Sequence, residues 1–214
     1  MVAEMAKRIA LISDTHMQHD GIDIPACDIL LHAGDYSSYG DLKDLTNFNK
    51  WLGTLKQCKN IVIVDGNHDL FAATSYPMAK TLFSNATYIR DELIEVQGLK
   101  IWGSPWSKTF GRWAYMTSEE ELLLKYQRIP EGIDILISHT PVYGILDKVE
   151  RVGSVGSTSL RSEVFDRIKP RLVVAGHLHL NGGLTKTENG IIFANAAICD
   201  EDYNPSREPI FLYL

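Results

Sequence analysis

Short apolar runs that stop abruptly at polar residues recur along the chain. Residues 8–13, 28–32, 60–64, 134–138 and 172–175 are such runs, each followed by Gly, Asp, Asn or His, at once or, for 28–32, after Ala33, and they predict buried strands with polar ends. Between the second and third runs, Leu42, Leu45, Phe48, Trp51, Leu52 and Leu55 recur at steps of three and four, which predicts a helix over 41–56 with one buried face. Residues 118–126 open with Ser-Glu-Glu-Glu, a helix start, and 159–168 place Leu160, Val164, Phe165 and Ile168 ahead of a terminating Pro170. Strands alternating with helices predict an α/β layer architecture. Two hairpins interrupt the alternation, 93–96 with 99–102 around Gln97-Gly98, and 184–187 with 191–194 around Glu188-Asn189-Gly190, so the sheets are expected to be mixed. A last run, 209–214, reads as an exposed hydrophobic strand whose edge leaves room for a dimer.

At 214 residues the expectation is one domain spanning 1–214 with a sizeable core. Hydrophobic residues at 45% and charged residues at 22% sit near the globular average, which argues against a disordered or fibrous chain. No apolar run is long enough for a spanning helix, and residues 1–7 carry acid and base but no apolar stretch of a secretory signal, so no membrane association and a cytoplasmic location are expected. Cys27, Cys58 and Cys199 are odd in number and widely spaced, which suggests reduced structural thiols. A net charge of −6 argues against binding long nucleic acid, which needs a basic face.

The chemistry lies at the strand ends. Asp14-Thr15-His16, Gly34-Asp35, Gly66-Asn67-His68-Asp69, Ser138-His139 and Gly176-His177-Leu178-His179 hold five of the seven histidines. Carboxylates, an amide and imidazoles gathered at one sheet edge repel or stay unsatisfied unless a cation sits among them. Asp, Asn and neutral His without any thiolate form a donor set that suits manganese, iron, zinc or magnesium. The seven candidates Asp14, His16, Asp35, Asn67, His139, His177 and His179 are too many for one tetrahedral ion and suit two ions sharing a carboxylate.

The order DxH, GD, GNHD, SH and GHxH, from Asp14 to His179, resembles the calcineurin-like metallophosphoesterase superfamily. The flanking text LISDTH, LLHAGD, FNKWLGTL, IVIVDGNHD, GSPW, EGIDILISHTP, KPRLVVAGHLH and FANAA is similar to its small single-domain group of metallophosphoesterase-domain-containing proteins. The resemblance implies a four-layer αββα sandwich of two mixed β-sheets flanked by helices, holding two divalent transition-metal ions, manganese first, with iron, zinc or magnesium as alternatives. It implies that Asp14, His16, Asp35 and His179 bind one ion, and that Asp35, Asn67, His139 and His177 bind the other. Asn67 and His68 would meet the substrate, His68 protonating the leaving oxygen, with Asp69 orienting His68 through its other ring nitrogen. The reaction implied is in-line attack of a metal-bridging hydroxide on a small phosphodiester of nucleotide type, cyclic nucleotides included. The alternatives are a phosphomonoesterase, a protein serine/threonine phosphatase, or a scaffold that has lost catalysis; the retained His68 and His177 speak against the last.

Outside the motifs, Trp102, Trp106, Phe110, Trp113 and Tyr115 surround Arg112 within fourteen residues. This segment reads either as a wall beside the metals, with rings for a nucleobase and Arg112 for a phosphate, or as the core of its own insertion. His32 lies within a strand and reads as a hydrogen-bonded core residue. His19 divides evenly between the substrate and a surface loop. Arg151 and the Gly-Ser stretch 152–159 read as a solvated loop beside the site. Asp65 departs from the pattern before GNHD, where a small, apolar or proline residue is usual, and reads as a turn residue first and as a hydrogen-bond partner of a metal ligand second.

Overall fold

The computed structural model describes residues 6–214. Five strands form the first sheet in the order β15-β1-β2-β3-β4, with β1 (Arg8–Ile12), β2 (Cys27–His32), β3 (Cys58–Ile63) and β4 (Thr87–Tyr88) parallel and β15 (Ile210–Tyr213) antiparallel to β1. The second sheet has the order β13-β14-β12-β9-β6-β5. Its central strands β6 (Leu99–Ser104), β9 (Ile135–Ser138), β12 (Leu172–Ala175) and β14 (Ile191–Asn195) are parallel, and β5 (Glu92–Val96) and β13 (Leu184–Glu188) are antiparallel edges. Two-residue turns close both hairpins, Gln97-Gly98 and Asn189-Gly190, and all four residues take positive φ, the backbone that matches the twist of paired strands.

Continuous apolar runs make sense because these strands are covered on both faces. Ile9, Leu11, Ile29, Leu31, Val62, Ile101, Ile135, Ile137, Leu172 and Val174 fill the space between the sheets. The alternate residues Ala10, Ile12, Leu30 and Ile63 meet Leu45, Phe48, Trp51 and Leu52 of helix α1 (Leu42–Leu52). On the far side Leu136, Val173 and Phe193 meet α4 (Glu119–Tyr126) and α5 (Thr158–Ser162), the latter running on as a wider π-helical turn to Ile168. This is the expected αββα sandwich of two mixed sheets.

Asp41 caps α1 by accepting from the Asp44 N–H, and Ser118 caps α4 through the Glu121 N–H. The first helix stops at Leu52 rather than 56, as the chain turns through Gly53 and Thr54 to deliver Leu55 and Cys58 to the core. Two helices that no periodicity announces, α2 (Leu70–Thr74) and α3 (Tyr76–Leu82), follow the GNHD turn; each is too short for a stripe to repeat. Residues 209–214 pair antiparallel with β1 of their own chain, with Ile210 and Leu212 packing toward the inter-sheet core. Two small ladders lie beside the sheets, β7 (Ser107–Lys108) with β8 (Met116–Thr117), and β10 (Lys148–Val149) with β11 (Gly153–Ser154). All three cysteines are buried free thiols, and no helix among the described residues is long and apolar enough to cross a membrane.

Candidate metal centre

Because β1, β2 and β3 run parallel in one sheet and β9 and β12 in the other, their C-terminal ends deliver side chains to a common edge, where open α/β sheets bind ligands. Asp14 and His16 follow β1, Asp35 follows β2, Asn67 and His68 follow β3, His139 follows β9, and His177 and His179 follow β12. Four of them, Asp14, His16, Asp35 and His177, hold left-handed backbone with φ of 50°, 39°, 56° and 68°. Strained non-glycine backbone persists where its surroundings over-determine it, and such residues gather at functional sites.

The loops are tied to one another. The Asp14 N–H donates to the Gly34 carbonyl at 2.9 Å, the His16 N–H to Asp35 at 3.1 Å, and the Gly176 N–H to His139 at 3.1 Å. Asp14 accepts the His177 N–H at 2.9 and 3.0 Å, and Asp35 Oδ1 accepts the His68 N–H at 2.7 Å. Close approach explains two glycines. A Cβ at Gly66 would lie 2.3 Å from Asp35 Oδ1, and one at Gly176 would lie 2.0 Å from Ser13 Oγ. Gly66 therefore serves proximity rather than an unusual turn conformation, since its φ is not positive.

The result is two groups, each with its donor atoms within 4.8 Å of one another: Asp14, His16 and His179, and Asp35, His139 and His177. Asp35 also clusters with His16 and His68, and its Oδ2 lies 3.4 Å from His139 Nε2 and 4.0 Å from His16 Nε2. Asn67 Oδ1 is 3.0 Å from His139 Nε2. All seven sequence-predicted ligands thus come together.

Ring orientation tests whether a cation fits. The Nδ1 atoms of His16, His139 and His179 face the backbone carbonyls of Ser37, Ala33 and Asp200 at 3.2, 2.8 and 2.8 Å. Donation to those carbonyls leaves each Nε2 as a lone pair turned inward, the tautomer a metal-binding histidine needs. The inward atoms are then acceptors facing acceptors: His16 Nε2 and His179 Nε2 stand 3.1 Å apart, and His139 Nε2 faces Asn67 and Asp35 oxygens. Only a proton or a cation between them relieves the repulsion, and a divalent ion fits this hard-oxygen and imidazole set.

Electrostatics agree. Burial opposes charge on Asp14 and Asp35, yet the histidines beside them hold both carboxyls well below the usual range. Burial likewise opposes charge on His139, but Asp35 overrides it and pushes that imidazole up to about 9. His16 and His177 go the other way, burial pulling both down to about 4, so they are neutral donors at physiological pH.

The sequence reading needs correction at four places. Asp69 does not reach a ring nitrogen of His68: it is wholly buried and accepts the N–H groups of Asp35, Ser37 and Gly66 and the Ser37 hydroxyl. The Ser38 carbonyl occupies His68 Nδ1 instead, at 2.8 Å. Arg112 is exposed and does not line the cleft over the site. His19 neither faces the cleft nor sits on a surface loop; it is buried against Phe48 and Trp51, its Nε2 2.7 Å from Asn47 Oδ1. Asp65 is more than a turn residue, as three tyrosine hydroxyls converge on it. His32 is the expected core histidine, accepting the Gly34 N–H at Nδ1 and bonding Thr15 through Nε2.

A cleft of 440 Å³ opens over the cluster. Trp113 stacks on His68 with centroids 4.3 Å apart, and Phe110 lies 5.2 Å from His177. The aromatic segment is therefore both wall and core, because Trp102 is buried under the second sheet and Trp106 donates to Asp91. Val149 and Glu150, at the tip of the β10–β11 hairpin, also line it. Tyr203 completes the rim, edge-on to His16 at 4.7 Å, and sequence reasoning missed it. Asp200 and Asn204 signal the turn that carries it, with Asp200 Oδ1 accepting the Asn204 N–H, but nothing in the text places that turn over the first histidine block.

Known proteins point the same way. Residues 7–181 match the profile of the calcineurin-like phosphoesterases. Human metallophosphoesterase domain-containing protein 1 is 35% identical over 232 residues, an alignment covering 97% of this chain and 71% of the human one. A Caenorhabditis elegans relative, UPF0046 protein C25E10.12, is 33% identical over 231 residues, covering 98% and 81%. Among solved structures, the phosphopantetheinyl hydrolase of Mycobacterium tuberculosis superposes with a TM-score of 0.64 over 99% of this chain and 97% of its own, at 14% identity, a likeness of fold. With 175 consecutive residues inside the family profile and a cation-demanding cluster at the strand ends, the chain belongs to the calcineurin-like phosphoesterases and is a metal-dependent phosphoester hydrolase.

Proposed function

We propose that the protein is a binuclear phosphodiesterase acting on small phosphodiesters of nucleotide type, cyclic nucleotides included. The observation that carries the binuclear reading is Asp35, whose carboxylate stands between His16 and His139 and so between the two donor groups. Asp14, His16, Asp35 and His179 would hold one ion; Asp35, Asn67, His139 and His177 would hold the other. Manganese is the first choice for a site of oxygens and imidazoles without thiolate. When bound, two such ions supply Lewis-acid charge to the phosphoryl oxygens and acidify the attacking water.

The chain's own groups do the rest. Asn67 stays at the phosphoryl group while its backbone carbonyl fixes the aromatic loop through the Ala114 N–H at 3.1 Å. His68 donates from Nδ1 to the Ser38 carbonyl and keeps Nε2 for the cleft; carrying a second proton there, the imidazolium gives it to the departing oxygen and is left neutral. Asp69 acts on backbone, holding the Asp35 and Gly66 N–H groups so that ligand and turn stay in register. Trp113, Phe110 and Tyr203 offer aromatic faces for a nucleobase, which supports the nucleotide reading.

The test is a substrate panel under manganese: the bis-p-nitrophenyl ester, p-nitrophenyl phosphate, 2′,3′- and 3′,5′-cyclic nucleotides and a phosphopeptide. The highest kcat/KM is expected for a nucleotide diester; preference for the phosphopeptide overturns the substrate class. Anomalous scattering should locate two ions per chain, and a single site would overturn the binuclear reading.

A further inference from the structure

Asp65 is a buried carboxylate that the reaction above does not use. Its Oδ1 accepts the Tyr36 hydroxyl at 2.8 Å, and its Oδ2 accepts the hydroxyls of Tyr88 and Tyr115. The three phenols come from the turn after β2, from β4, and from the loop between β7 and β8. Tyr115 is the only one of the three in the aromatic loop. Its hydroxyl also accepts from Arg90 Nη1 at 2.8 Å, so the guanidinium reaches Asp65 through Tyr115.

The same loop touches the active turn twice more. The Ala114 N–H donates to the Asn67 carbonyl at 3.1 Å, and the Trp113 ring lies on His68 with an interplanar angle of 25°. Tyr115 has a φ of 55°, a left-handed conformation that a bulky residue adopts only when it is held from outside. Packing alone would be served by phenylalanines and an apolar residue at position 65. A buried carboxylate is costly and earns its place by specifying one arrangement.

We propose that Asp65 and Tyr115 form a latch that docks the 109–117 loop onto the Gly66–Asp69 turn and thereby sets Trp113 against His68. Asp65 and Tyr115 are then positioning residues for the imidazole that meets the phosphoester. Only the effect on turnover rests on the role given to His68 above; the docking stands without it.

The test is Tyr115→Phe, which keeps the ring and removes one hydroxyl, read by NMR in magnesium-loaded protein. Stacking on Trp113 shifts the His68 Cε1–H resonance upfield, so undocking should move it downfield, toward its position in Trp113→Leu. Turnover should fall roughly 10- to 100-fold in kcat, the cost of a group misplaced by about 1 Å, with bound metal unchanged. Tyr36→Phe removes a bond to the same carboxylate without touching the loop, and should leave both the resonance and kcat near wild type. Arg90→Gln, which weakens the latch without altering Asp65 or Tyr115, should move the resonance in the same direction by less. An unmoved resonance in Tyr115→Phe, or an equal move in Tyr36→Phe, overturns the latch; if Tyr115→Phe does not fold, an unmoved resonance in Arg90→Gln overturns it. A moved resonance with unchanged kcat upholds the docking and overturns Asp65 and Tyr115 as positioning residues for His68, whose own role is read from His68→Ala.

Discussion

At Asp65 three phenolic O–H groups point at one carboxylate, whereas around Asn67, two residues later, oxygens and ring nitrogens point at one another. Both clusters are buried beside the same turn after β3. At Asp65 burial drives the carboxyl above its usual range and the phenols pull it back. At Asp14 and Asp35 the balance tips the other way, because histidines crowd them and both stay ionised. A cluster supplied with donors is complete as folded protein; a cluster of acceptors needs a cation from outside. Asp69 belongs with the first kind despite its place in the GNHD block, since four donors saturate it.

The sharpest way to break this contrast is Asp35→Asn. Removing the shared charge should release metal from both donor groups and lower turnover by several orders of magnitude, read by metal analysis and steady-state kinetics. Full metal content in that variant would dissolve the comparison. Next in size, His68→Ala should keep its metal and slow kcat by roughly 10²–10⁴, the usual yield of a positioned proton donor.

Asp65→Leu probes the other cluster. It strands three buried phenols, each costing about 1–3 kcal/mol, so urea unfolding should register a loss of roughly 3 kcal/mol or more with metal affinity retained in the fraction that folds. Chelation sharpens the same point. At metal concentrations near 100 times Kd, adding a chelator should remove about 2.7 kcal/mol of stability per bound ion from the wild type and the same amount from Tyr36→Phe, whose cluster binds no ion.

Measured between pH 7 and 5, the smallest effect, about 2 kcal/mol, concerns His32, which bonds Thr15 and faces the Tyr36 ring. Burial pulls its imidazole down to about 3, against 6.5 in an unfolded chain. The folded state therefore refuses a proton that the unfolded state accepts, and stability falls as pH drops from 6.5 toward 3, by about 1.4 kcal/mol per pH unit, then flattens. Urea midpoints at pH 7 and 5 should converge for His32→Gln relative to wild type; equal slopes in the two proteins would show that His32 carries none of the acid sensitivity.

The clustering of the candidate ligands was legible because each member ends a buried strand. A run such as 172–175 is apolar for reasons of burial, and Gly-His-Leu-His then has no structural reason to follow. The reading erred where a contact depends on a partner far along the chain. Asp69 adjoins His68, yet its donors come from Asp35 and Ser37, whose loop fills the space around it. Arg112 stands among aromatics in the sequence but is exposed and takes no part in the cleft that Phe110 and Trp113 line. Tyr203 follows the last histidine by more than twenty residues and still rests on His16.

What local sequence determined was the alternation of strands and helices, the two Gly-containing hairpins and the residues of the candidate metal cluster, because period, turn chemistry and donor type are written residue by residue. What only the tertiary structure decided was which groups the donors face. Two sheets had to pack before Asp35 could stand between His16 and His139, and before β4 and the aromatic loop could bring Tyr88 and Tyr115 to Asp65. Those meetings join residues as far as 163 positions apart, as with Asp14 and His177, and no local pattern encodes which acceptors will find donors and which will be left for a cation.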